Sequence, residues 1–114
     1  MAMNAPWDEE RLSAMFGACS DVIRYPLPEE EGLLLYCEGL CSTTKLGETL
    51  GHDWERDIAK EAEAWERGEE ATPFQVQRLV ESVSADELDG ALFNGNALLY
   101  IRSTGAIYVV QCAE

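Results

Sequence analysis

Basic residues are scarce in this sequence: Lys and Arg number 8 against 22 Asp and Glu, giving a formal net charge of -14. Nucleic acids and anionic leaflets are bound largely by Lys and Arg that neutralise phosphates, so those partners are set aside as a class. No apolar run approaches the ~20 residues that span a bilayer. The N-terminus, MAMNAPWDEE, is acidic where a secretion signal is basic and then apolar. The segment is thus expected to be soluble and unexported, with no direct membrane insertion. Phosphate-cradling loops are missing too, since neither GxGxxG nor a Walker sequence occurs.

Histidine occurs once, at His52, and cysteine four times, at Cys19, Cys37, Cys41 and Cys112. Four thiols are too few for a disulfide-built scaffold at this length, and two of them lie in strand-like apolar runs. A reducing compartment is the expectation.

What is present suits a folded domain. Hydrophobic residues make up 46% and charged residues 26% of 114 residues, close to the globular average. One core can bury roughly two thirds of the surface of such a chain. Residues 1–114 are read as a single domain, with 1–7 as a disordered lead or an expression remnant.

Periodicity then gives the elements. Leu12, Met15 and Phe16 follow acidic residues at helical spacing over residues 8–18. DVIRYPL reads as an edge strand because proline cannot donate to a ladder, and GLLLYCEG as a buried one. In the latter, Leu33, Leu35 and Cys37 share one face and Leu34 and Tyr36 the other. Ser42 or Thr43 can cap a short helix carrying Leu46 and Leu50. Trp54, Ile58, Ala62 and Trp65 form the apolar stripe of a longer helix that Gly68 ends.

Thr72 as cap and Pro73 as first residue predict another helix, with Val76, Leu79, Val80 and Val83 as its stripe. Ser84 and Glu87 open a further helix as a capping box, with Leu88, Ala91 and Leu92 inward and Asn94 and Gly95 as the stop. ALLYIRSTGAIYVV closes the chain as a hairpin. The fold class is therefore α/β (α+β), in the order α-β-β-α-α-α-β-β. The expectation is about four strands in a mixed sheet, with three to four helices over one or both faces.

Catalytic chemistry is thinly supplied. Cys37 and Cys41, with His52 and an acidic residue, could make a zinc site or a small thiol enzyme. Cys-x3-Cys with one distant His lacks the second paired knuckle, however, and no orienting third group is identifiable. Cys41 at a first helical turn is the one thiol with an argument for a lowered pKa. Carboxylates such as Glu55, Asp57, Glu61, Glu63 and Glu66 are spread around a helix and read as a solvated face. No catalytic, cofactor-binding or metal residues are assigned, and no cofactor is expected.

Three segments carry a likeness. CSDVIRYPL, LLLYCEGLCS and ALFNGNALLYIRSTGAIYVV stand in the order and spacing of the N-terminal soluble region of the A subunit of spore nutrient germinant receptors. The chain resembles this GerA family in Ser20, Asp21 and Val22. It is similar also at the strand end Gly39 and Leu40, and in the step Leu92, Gly95 and Asn96 into the hairpin. Cys41 and Ser42 fall where the family often has an apolar residue and an Asp, and Ser caps a helix as Asp does. Arg102 to Gly105 depart from the family's Asp-Gly or Asn-Gly turn. The family's second subdomain and membrane helices have no counterpart in these residues.

The resemblance implies a noncatalytic role in spore germination. It places the domain on the cytoplasmic, spore-core side of the inner membrane, with other receptor subunits or the adjoining subdomain as partners. The alternatives are a soluble acidic protein-protein interaction module and the small thiol or metal enzyme above.

Overall fold

The computed structural model describes residues 8–17, 21–50, 54–79 and 83–113. Asp8 starts the first helix, α1 (Glu9–Phe16), by accepting from the Arg11 amide at 2.7 Å, and Glu9 and Glu10 add negative charge at its positive end. A first strand, β1 (Val22–Pro26), leads through a 3-10 turn at Pro28–Glu30 into β2 (Gly32–Cys37). Two helices follow, α2 (Thr43–Leu50) and α3 (Trp54–Arg67). Then come β3 (Val76–Arg78), α4 (Ala85–Phe93), β4 (Ala97–Ile101) and β5 (Ala106–Val110). Ser42 accepts from the Lys45 amide at 3.2 Å and Ser84 from the Glu87 amide at 3.1 Å, so both side chains cap the helices they precede.

The strands form one sheet in the order β1-β2-β4-β5-β3, and every pairing is antiparallel. Pro26 lies on the edge strand β1, where a missing N–H costs the ladder nothing. β2 and β4 approach closely at Gly32, whose added Cβ would overlap the Tyr100 carbonyl. Only glycine fits there.

Both faces of the sheet are covered. On one face Leu34, Ala97, Leu99, Ile101, Tyr108 and Val110 pack with Leu46 and Leu50 of α2 and Ile58, Ala59 and Ala62 of α3. On the other, Leu33, Leu35, Leu98, Tyr100 and Ile107 pack with Leu12 and Phe16 of α1 and Leu88 and Leu92 of α4. The period-2 alternation of strand side chains divides each apolar run between two cores, which is why β2, β4 and β5 read as nearly continuous apolar segments.

Two expectations are corrected. The sheet has five strands rather than about four and is antiparallel rather than mixed. The helix expected from Thr72 to Val83 is absent where residues are described: Val76–Arg78 is a strand paired with β5. Gln111 donates to Gln75, and Leu79 to Ile107, prolonging that ladder at both ends. Val80 lies outside the described residues, as do Cys19, Ser20, His52 and the side chain of Trp54.

Candidate functional site

Because Cys37 ends β2 on the Leu33 and Leu35 side by strand parity while Cys41 packs in the opposite core, the two thiols are separated by the sheet. Their closeness in sequence does not make a site. Cys41 instead meets Cys112, 71 residues away, with the sulfurs 2.9 Å apart. The backbones run side by side there: Cys41 and Ala113 form an antiparallel bridge, and the Ser42 amide donates to the Cys112 carbonyl at 2.7 Å. Lys45 donates to the Ala113 carbonyl at 2.8 Å and fastens the same segment to α2.

Both sulfurs are buried, and burial first, with the contact to Cys41 second, pushes the Cys112 thiol from 9.0 up to about 12. It is a neutral thiol at ordinary pH. Among the described residues no group of three or more His, Cys, Asp or Glu is arranged to hold a metal ion, and His52 lies outside them.

A second polar cluster sits where α3 crosses the sheet. The Tyr108 hydroxyl donates to Glu66 Oε1 at 2.9 Å, and Arg78 Nε donates to the same oxygen. The Trp65 ring meets the Tyr108 ring edge-on, with centroids 5.4 Å apart. The Arg78 hydrogen bond chiefly, with that of Tyr108, holds the Glu66 carboxyl below its usual range, while burial leads in raising Tyr108. These groups satisfy one another and fasten the edge strand β3 to helix and sheet.

The surface carries shallow open clefts. One of about 370 Å³ is lined by Lys45, Glu48, Thr49, Gln75 and Gln111. Another, of about 240 Å³, is lined by Glu29, Glu30, Glu31, Ala59, Glu63, Arg102 and Ser103. Arg102 lies 3.7 Å from both Glu9 and Glu30 and offsets part of the acidic charge there. Of the acidic residues of α3, Asp57 is exposed, whereas Glu66 is engaged by Tyr108 and Arg78 and Glu63 accepts from Ser103, so the expectation of a wholly solvated face is corrected there.

The pairing of Cys112 with Cys41 and the Glu66–Tyr108–Arg78 cluster were both missed by the sequence reading. Neither has a local signal, because the partners come from separate elements.

No protein-family model matches this sequence, and no curated protein matches it. Among solved structures, the chain is similar to the N-terminal domain of the A subunit of the Bacillus megaterium spore germinant receptor GerK3. The TM-score is 0.59 at 15% identity, over 96% of this chain and 48% of that chain. The fold is shared with a germinant-receptor domain. The chain spans about half the length of that neighbour. The neighbour is a domain of a spore germinant receptor. No helix among the described residues is long and apolar enough to cross a membrane.

Proposed function

We propose that the chain is a noncatalytic domain of the A subunit of a spore nutrient germinant receptor of the GerA family, acting as scaffold and signal transmitter in germination. The observation that carries this reading is the shared fold over 96% of the chain. It is supported by the segments that resemble the family: they form β1, β2 with its Gly39–Leu40 end, and the α4-to-β4 step at Gly95 and Asn96. Under this reading the domain contacts other receptor subunits or an adjoining subdomain on the spore-core side of the inner membrane. It is not an enzyme.

Deleting the coding segment for residues 8–113 in the spore-forming host tests the proposal. Spores should form normally and still respond to a stimulus that bypasses nutrients, while losing the response to one nutrient or set of nutrients. An unchanged response to every nutrient would overturn it.

One observation favours a second reading, a soluble acidic interaction module. Phe74 is 88% exposed beside the edge strand β3, on a chain of net charge -14. An apolar anchor beside an open strand edge, within an acidic surface, suits a basic partner.

A further inference from the structure

We propose that Cys41 and Cys112 form a thiol–disulfide site, which a small-molecule disulfide oxidises to an intramolecular cystine and a small-molecule thiol reduces again. Three observations independent of the receptor reading carry it.

The sulfurs already stand 2.9 Å apart, about 1 Å beyond the ~2.05 Å of a disulfide. The bridge from Cys41 to Ala113 and the bond from Ser42 to Cys112 hold the two backbones alongside each other, so closure asks for little movement. The Cys112 side of the contact is a short segment beyond β5, fastened by that isolated bridge, the Lys45 contact and the Ser42 bond rather than by a full ladder. Local opening of such a segment costs far less than global unfolding and admits the reagent.

The order of steps follows from exposure and acidity. Cys41 retains 7% exposure against 1% for Cys112, and the Cys112 thiol is held neutral by burial. The Cys41 thiolate attacks one sulfur of the reagent disulfide, forming a mixed disulfide and releasing one thiolate, which takes up a proton. Cys112 then loses its proton to solvent and attacks the Cys41 sulfur, expelling the second thiolate. Two protein thiols and one reagent disulfide become one cystine and two reagent thiols. The bond links positions 71 apart in the sequence and ties the segment after β5 to the β2–α2 junction.

The test equilibrates the chain carrying Cys19→Ala and Cys37→Ala in glutathione buffers running from reduced to oxidised. It then reads intact mass, a tryptic map and thermal unfolding. Expected are loss of both thiol hydrogens without an added glutathione, a peptide joining Cys41 to Cys112, and a rise in Tm on the order of 10 °C that reductant reverses. The map made on the unaltered chain should show the same joined peptide, which keeps the test valid if the double variant folds poorly. Two thiols still open to alkylation in fully oxidised buffer would overturn the proposal. So would a stable glutathione adduct, or a cross-link mapped to Cys19 or Cys37.

Discussion

Tyr108 and Glu66 meet through one hydrogen bond of 2.9 Å, from a phenol whose ring lies in the sheet's core to a carboxylate on the rim of α3. Arg78 of the edge strand donates to the same oxygen, so a helix, a central strand and an edge strand converge on one atom. Tyr108→Phe keeps the ring and its edge-on contact with Trp65 and removes only the hydroxyl. Urea unfolding should show a loss of about 1.5–3 kcal/mol, the usual net worth of a hydrogen bond to a charged group. Tyr108→Ala also empties core volume and should cost about 3–5 kcal/mol, as for other large aromatics.

The pH dependence of stability has two separate limbs. Glu66 is held below its ordinary 4.5, chiefly by the Arg78 hydrogen bond, so its ionised form is favoured in the folded chain. Its contribution is complete above the unfolded value and is lost as pH falls through the folded one. At the alkaline end Cys112 is raised from 9.0 to about 12, so its neutral form is favoured. That contribution is complete below pH 9.0 and is lost as pH rises toward about 12. Urea midpoints measured across pH should fall at both ends. Glu66→Gln should flatten the acid limb alone and Cys112→Ala the alkaline limb in part, since Tyr108 is raised as well.

Much of this fold was legible because local signals and packing agree. Asp8, Ser42 and Ser84 are caps by residue type and by geometry. The parity of Leu33, Leu34, Leu35 and Tyr36 already assigned them to two faces, and both turned out to be cores. Where the sequence misled was residues 72–83. Val76, Leu79 and Val83 have helical spacing, but Val76 packs in one core while Leu79 and Val83 pack in the other. Val76 and Leu79, three apart along an extended chain, fall on opposite faces by strand parity, and a three-residue strand is too short to show a period of its own. The sulfur pair was illegible for another reason, because proximity across 71 residues is a property of sheet order alone.

Gly95 holds the turn from α4 into β4 at φ +95. A Cβ there would stand 2.7 Å from the Leu40 carbonyl oxygen and 2.8 Å from the Ala113 Cβ. Gly95→Ala therefore meets backbone strain of about 1–3 kcal/mol and a clash on top of it. It should lower the unfolding free energy by at least that strain. It should also loosen the segment carrying Cys112, seen as faster amide exchange at Ser42, whose amide donates to the Cys112 carbonyl.

Phe74 is exposed and contributes little to the core, so Phe74→Ser should change stability by less than about 0.5 kcal/mol. If the edge beside β3 is a contact surface, the same change should weaken association with a partner severalfold. Acidic surface charge should make that association salt-sensitive, since exposed charges are screened over ~8 Å at physiological ionic strength. Titrations at low and high salt, with and without the substitution, separate the apolar from the electrostatic part. Binding unchanged in all four would remove this face from consideration.

Under the receptor reading, nutrient recognition is placed outside this domain. The clefts described are open and lined largely by charged or amide side chains, as in Lys45, Glu48, Gln75 and Gln111, whereas small-molecule sites are mostly apolar and bury most of their ligand. Trp65 and Tyr108 meet edge-on and pack against the core rather than lining either cleft. The net charge of -14 further opposes self-association at low salt, so the isolated chain should be monomeric or weakly associated and suited to solution measurement. Titrating it with amino acids, sugars and nucleosides while following amide chemical shifts should give no saturable change at micromolar concentrations. A single nutrient whose shifts cluster around one cleft and saturate would make this domain the sensor and end the scaffold assignment.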